Sequence, residues 1–350
     1  MNDNPIPLVV QYLYVHGNDE GFYYPTARAA SSAAAVAARY LECALVQSAS
    51  LRYREVDCEL ILATNISDRS ALGRAGEKLL ERIESLGVNV LLCEYRHRPG
   101  DDSKIYLSSR YVLDAILTAV EGQPPERRVW FTDLDCVWPD AERVFAATPP
   151  EGEVGCVYIP YPPDWDVVDF SEVGRTRRTI GELAAEMGRP GDLPPWVGGE
   201  LLSGTPDALR GLVAVCEELD GQLAAAGRVL PTEEQILSLA GALGRVQFCD
   251  LSHVAWRILT GPRHGAPKPE DPLAFGLWHL PSEKGLSMRR TAREIRVGRT
   301  ARLRRDLAQP TRMARRFNVT GNGLGRRVRD DGWIAVQRLR RTFRTTLGRG

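Results

Sequence analysis

The sequence predicts an α/β fold: a mixed, mostly parallel sheet flanked by helices, followed by a basic C-terminal helical tail. Three observations predict it. Short apolar runs alternate with helix-like stretches over the first 160 residues, as in a sheet covered on both faces. No segment recurs at a fixed period, which excludes a solenoid. Charge also divides the chain. Residues 289–350 hold 19 arginines, no lysine and four acids, a net +15, so the neutral total leaves −15 on residues 1–288. The expected organisation is one domain over 1–288 and an Arg-rich, partly helical tail over 289–350.

Taken in order, Leu8 to Val15 reads as a strand and Thr26 to Ser50 as a long alanine-rich helix. Glu59 to Ala63 is a second strand. Asp68 is placed to cap a helix running to Leu86, with Gly87 just past its end. Val88 to Cys93 is a third strand, Tyr106 to Val120 a helix by its apolar spacing, and Arg128 to Thr132 a fourth strand. Six prolines between Pro160 and Pro195 indicate a loop, helical around Ile180 to Met187. Helices follow over Pro206 to Ala226 and Thr232 to Leu243, with a short strand at Val246 to Cys249. A Gly/Pro/His-rich loop then leads to Leu277-Trp-His-Leu-Pro-Ser-Glu-Lys-Gly.

Composition narrows the classes. Charged residues are 26% and hydrophobic ones 43%, values of a globular chain rather than a disordered or collagen-like one. The most apolar helical stretch, Ala27 to Val46, contains Arg28, Arg39 and Glu42 and is a poor membrane span. Met1-Asn-Asp-Asn-Pro has neither a basic nor an apolar leader region. Seven scattered cysteines without a CxxC suit a reducing compartment. The expectation is a cytoplasmic protein that can sit peripherally at a membrane. Walker A and Rossmann glycine patterns are absent from the sequence, so kinase and dehydrogenase readings have no support.

The chemistry concentrates at Phe131-Thr-Asp133-Leu-Asp135. Two carboxylates at i and i+2 project to one side at the carboxyl end of a buried strand, where open α/β sheets bind ligands. They repel each other unless a cation lies between them, and Mg²⁺ or Mn²⁺ with oxygen ligands resolves that conflict. A solvated strand end leading into a helix cap would look the same. His279 and Lys284, five residues apart, offer an imidazole for Mn²⁺ and an ammonium for a phosphate.

With these residues the chain resembles the nucleotide-sugar-dependent glycosyltransferases of the GT-A fold, in particular the retaining glycogenin/galactosyltransferase group and the blood-group-type transferases. The resemblance implies that Asp133, Asp135 and His279 hold Mn²⁺ (or Mg²⁺) on a nucleotide-diphosphate sugar, UDP-linked, and that Lys284 touches the diphosphate. Those families space His and Lys one residue further apart with a central glycine. Gly198-Gly-Glu-Leu-Leu-Ser-Gly-Thr-Pro206 looks like their acceptor-side strand, which implies acceptor contacts at Trp196, Gly198 and Gly199. Glu233-Glu-Gln-Ile-Leu-Ser238 looks like the helix start beneath the reacting sugar and implies Glu234 at the catalytic position, with retention. The same acids also suit the first turn of a helix capped by Thr232. Glu200 is a second catalytic candidate: an acceptor contact, or a base if the enzyme inverts. Lys104 and Arg110, before the Asp133 strand, are expected at the nucleotide-sugar. Tyr23 and Tyr24 could stack on its base. The 160–195 loop is a candidate lid.

Two other readings compete. Asp-Leu-Asp also resembles the first motif of haloacid-dehalogenase-type phosphatases, with Asp133 as nucleophile, although the motif lies mid-chain here and the only later Asp-Asp, Asp330-Asp331, lies in the tail. The third is a non-catalytic nucleotide-sugar-binding module. The acceptor, a sugar, a peptide or a small molecule, is not specified by sequence. In the tail, Trp333, Val336, Leu339, Phe343 and Leu347 follow helical spacing among arginines, which points to an anionic membrane surface or an acidic partner. Nucleic acid ranks below these, since no RNP-like, zinc-finger or helix-turn-helix signature accompanies the charge.

Overall fold

A computed structural model of the chain describes residues 5–16, 33–99, 108–168, 171, 173–189, 191–258, 260, 269–298 and 300–320. Tyr23, Tyr24, Lys104 and the 333–347 apolar stripe lie outside the described residues. In chain order the elements are β1 (Leu8–Leu13), α1 (Ala33–Arg52), β2 (Glu59–Thr64), α2 (Gly73–Glu84), β3 (Val88–Leu92), α3 (Tyr111–Val120), β4 (Val129–Thr132) and β5 (Cys136–Val137). Next come α4 (Ala141–Ala146), β6 (Val154–Ile159), α5 (Arg177–Glu186), β7 (Trp196–Gly204), α6 (Pro206–Ala225), α7 (Glu233–Ala242), β8 (Phe248–Asp250), β9 (Ala255–Arg257) and β10 (Leu277–His279). Three helices finish the described chain: α8 (Arg289–Arg296), α9 (Thr300–Ala308) and α10 (Pro310–Arg316).

Seven strands make one sheet in the order β3-β2-β1-β4-β7-β6-β8. β7 runs antiparallel to both neighbours, and every other pairing is parallel. The expected mixed, mostly parallel sheet is therefore present. Because strand side chains alternate between faces, Val9 and Trp130 enter one core with α1 and α2, while Leu8, Val10, Val129 and Phe131 enter the other with α3, α6 and α7. Polar residues also tie α1 to the sheet: Gln11 donates to Ser48 (3.0 Å) and Gln47 to Thr132 (2.6 Å). Its alanine content lets it lie close on both sides, and every residue from Leu41 to Leu51 is buried.

The helix expected from Asp68 to Leu86 is two pieces. Asp68 accepts from the Ser70 amide and caps a 3₁₀ turn over Arg69–Leu72. Gly73, at φ 63°, then redirects the chain into α2. That left-handed conformation is one other residues rarely adopt. The strand β6 was not apparent in the sequence. Its Gly155 lies so close to Pro149 and Leu251 that a Cβ would collide with both.

The described chain after residue 288 packs closely on the sheet-and-helix body. Met288, Ala292, Ile295, Leu303, Leu307, Met313, Ala314 and Phe317 are fully buried in the core that holds α1 and α2. Arg54 donates to the Ala308 carbonyl (2.7 Å), and Asn318 donates to the buried Glu283 (3.2 Å). The described residues of 289–320 thus pack on the body, and most of their arginines lie on the outer faces of helices whose inner stripes are apolar, while Arg316 turns inward to Glu294 and Asp306. Ile295, Leu303, Leu307, Met313 and Phe317 contribute about 1.5–3 kcal/mol each on burial. Together that is comparable with the roughly 5–15 kcal/mol net stability of a domain. A chain ending at 288 is therefore expected to lose its cooperative melt. Equal melting temperatures for that chain and the full one, by near-ultraviolet dichroism, would refute this packing.

Candidate functional site

The site forms where the large sheet meets a small three-stranded one, β5-β10-β9. After β4 the chain turns tightly through Asp133-Leu134-Asp135. The Asp133 amide donates to the Glu200 carbonyl on β7 (3.2 Å), and the Cys136 amide to the Asp133 carbonyl (3.3 Å). β10 pairs His279 with Cys136 on one side and with Arg257 on the other. The Leu280 amide donates to the Asp135 carbonyl (2.9 Å). Backbone register alone thus collects residues from three distant stretches at the carboxyl end of β4, where sequence places the two carboxylates.

His279 Nε2 lies 3.3 Å from Asp133 Oδ2 and 3.2 Å from Asp135 Oδ2, and Lys284 Nζ lies 3.2 Å from Asp135 Oδ2. Lys284 also lies over the Tyr40 ring, 4.9 Å from its centroid. One ligand atom from each of Asp133, Asp135 and His279 falls within 4.8 Å of the others. Asp135 Oδ2 and His279 Nδ1 are buried without a well-directed hydrogen bond. Two carboxylates and an imidazole, with an under-satisfied carboxylate oxygen aimed into the cluster, fit a divalent ion such as Mn²⁺ or Mg²⁺.

The protein's own charges hold this cluster together. Burial pushes Asp135 up, but Lys284 and His279 outweigh it and hold the carboxyl well below its usual range. Burial pushes His279 down, yet Asp135 and its neighbours raise it to about 9. Burial, against the pull of His279, leaves Asp133 above its ordinary value. Tyr12, on β1, donates to Asp133 Oδ1 (2.6 Å) and fixes that carboxylate.

A second group of charges lies beside the first. β7 pairs with β6 through Leu202 and then through Gly198, so Gly199, Glu200 and Leu201 bulge from the ladder. The bulge buries Glu200, which receives Arg257 through Nε (3.1 Å) and Nη2 (2.7 Å). Its Oε1 lies 3.8 Å from His279 Nδ1. Burial pushes Glu200 up, but Arg257 and His279 hold it at about 2. Arg257 and His279 thus keep the buried Glu200 carboxyl in its ionised form.

The helix α7 begins at Thr232, whose side chain and that of Gln235 cap each other's amides. Ser238 accepts from the Val197 amide (2.9 Å) and presses this helix start onto β7. Glu234 turns toward Trp196 and Arg257: the indole N–H donates to Oε2 (2.7 Å), and the guanidinium donates to Oε1. Glu233 turns the other way, against Gly199, where any Cβ would collide with its carboxyl group. Its Oε2 is buried and has no hydrogen-bond partner among the described residues. Burial, then the charges of Glu234 and Asp133, lift Glu233 to about 8. Of the two adjacent acids, Glu233 is the one with an oxygen left without a partner beside the Asp133 carboxylate.

The other residues singled out in the sequence are placed as follows by their contacts. Trp196 is fully buried and donates to Glu234. Gly198 and Gly199 pack against Glu200 and Glu233, so their missing side chains make room for the chain's own carboxylates. Arg110 is buried and directs its fork to Asp220 (2.8 Å for both nitrogens) and the Leu230 carbonyl (2.6 Å). Sequence reasoning missed Tyr12, Glu233 and Arg257. It also missed an aromatic group after β1 and β3, in which Arg98 lies over the rings of Tyr14 and Tyr95 (5.4 and 5.1 Å). Among the described residues no helix is long and apolar enough to cross a membrane.

No protein-family model matches the chain, and no curated protein does. Solved structures with a similar trace include the galactosyltransferase LgtC in complex with donor and acceptor sugar analogues: 13% identity, TM-score 0.42, 78% of this chain and 86% of that one. Mouse xyloside xylosyltransferase 1 is similar over 79% of this chain and 97% of its own, at 13% identity and TM-score 0.43. The bifunctional glycosyltransferase WbbM gives 10% identity and TM-score 0.42 over 79% of this chain and 46% of its own. The chemistry of the site rests on its own residues.

Proposed function

We propose that the chain is a metal-dependent glycosyltransferase that moves a sugar from a nucleotide-diphosphate donor, UDP-linked, to an acceptor, with retention. The observation that carries this reading is the Asp133/Asp135/His279 cluster with Lys284 on one side and the Glu233 carboxyl, with its unpaired Oε2, on the other. Asp133, Asp135 and His279 would hold Mn²⁺ or Mg²⁺, which neutralises charge on a departing diphosphate. Lys284 adds a cation to that leaving group. Glu233 faces the reacting sugar and, once ionised, stabilises positive charge at the anomeric carbon, as carboxylates do in glycoside hydrolysis. Arg257 holds Glu234 and Glu200 and keeps their charge off the reacting centre. Tyr14, Tyr95 and Arg98, beyond the carboxyl ends of β1 and β3, suit a nucleobase. The +15 charge of residues 289–350 supports work at an anionic membrane surface or beside an acidic partner.

A thermal-shift screen tests the reading. UDP with Mn²⁺ is expected to raise the melting temperature, since a ligand at 100 times its dissociation constant adds about 2.7 kcal/mol. UDP alone, or uridine with Mn²⁺, is expected to do much less. Stabilisation by neither UDP, GDP nor ADP in the presence of Mn²⁺ or Mg²⁺ would overturn it.

A further inference from the structure

We infer that Trp165 and Tyr161 form an aromatic platform for a pyranose ring of the acceptor, so the acceptor is a carbohydrate. The inference rests on the sugar-transfer reading and narrows it. Trp165 is 44% exposed, and it lies in the segment between β6 and α5. The surrounding turn is well fixed. The Trp165 amide donates to the Pro162 carbonyl (3.1 Å), Arg178 pairs with Asp164, and Arg177 donates to the Tyr161 carbonyl (2.8 Å). A half-exposed indole on so restrained a turn is a prepared surface rather than a loose side chain.

The platform leads into the site. The Trp165 and Tyr161 rings are 18° from parallel with centroids 6.4 Å apart, and Tyr161 meets buried Trp196 edge-on at 6.4 Å. The Tyr161 hydroxyl accepts from Arg257 Nη1 (3.1 Å), the same guanidinium that holds Glu200 and Glu234. An apolar plate therefore borders a planar cation and its carboxylates. A pyranose matches that combination, with a C–H face for the rings and a rim of hydroxyls for the polar groups, as in other pockets that mix aromatic walls with a few placed polar atoms.

The experiment is saturation-transfer NMR on the full chain with lactose, maltose, cellobiose, N,N′-diacetylchitobiose and a Gly-Ser-Thr peptide as probes. At least one disaccharide is expected to receive saturation, strongest at its C–H face protons. Trp165→Ala is expected to weaken that binding about tenfold or more, as truncating an anchoring tryptophan does. Trp165→Phe should restore part of it. UDP affinity with Mn²⁺, measured by calorimetry in the same samples, should not change. No signal from any disaccharide, an equal signal in Trp165→Ala, or a signal from the peptide alone would overturn the platform while leaving the donor reading intact. Loss of Mn²⁺-dependent UDP binding in the wild type would instead remove the donor reading.

Discussion

Asp135→Asn is expected to abolish Mn²⁺-dependent UDP binding, weakening it by on the order of 100-fold, as loss of a metal ligand or its close support does. The substitution keeps size and shape and removes one charge. Repulsion between the two carboxylates suggests at first that the variant should gain stability, but the geometry reverses that sign. Asp135 lies between buried His279 and the largely covered Lys284, and its carboxylate is the shared partner of both cations. Removing it leaves two cations with less compensation, and breaking a buried ion pair costs about 3–5 kcal/mol. The variant should therefore melt lower than the wild type without metal and gain little from Mn²⁺. His279→Gln keeps the Lys284–Asp135 pair and is expected to lose metal-dependent UDP binding with a smaller drop in stability. Equal UDP affinity in the wild type and either variant, by calorimetric titration with Mn²⁺, would sink the metal site. A phosphatase using Asp133 as nucleophile would leave UDP binding indifferent to His279.

How much of this was legible beforehand depends on how local each signal is. Asp133 and Asp135 are two residues apart just past the end of β4, so one tight turn is enough to bring them together. His279 could be chosen because an imidazole followed by a lysine, late in the chain, is an uncommon pattern with a direct use. Arg110 looked equally useful, yet its partner Asp220 is 110 residues away and no local pattern announces that pair. Arg257 belongs to a three-residue strand with no motif around it, and its importance comes only from the register that sets it beside His279. The packing of α8 to α10 was concealed differently. Ile295, Leu303, Leu307 and Phe317 are spaced for helical stripes, but the arginines between them dominate the composition. The sheet order was within reach because alternating apolar runs leave few topologies. Antiparallel β7 was not, since nothing in its residues states its direction.

The adjacent acids of α7 show the limit most clearly, and they carry the other large expected effect. Consecutive helical residues point about 100° apart, so Glu233 and Glu234 meet different neighbours, and the side each faces depends on how β7 seats the helix. Glu233→Gln is expected to slow sugar transfer by about 10²–10⁴-fold, the range for losing a positioned charge or proton carrier at the reacting centre. UDP affinity should stay near wild type, because Glu233 supplies no ligand to the cluster. In Glu234→Gln the loss falls on the Arg257 network instead: Trp196 and Arg257 lose a carboxylate acceptor, so stability and acceptor KM should suffer more than the rate constant at saturation. The pH profile separates the two as well. With Glu233 lifted to about 8 by burial and its acidic neighbours, wild-type kcat/KM should climb as pH rises toward that value, since the ionised form is the working one. Residual activity of Glu233→Gln should be flat over the same range, and Glu234→Gln should keep the slope. A Glu233→Gln enzyme that transfers at the wild-type rate, or a Glu234→Gln enzyme that loses both turnover and the pH dependence, would return the reacting-face role to Glu234.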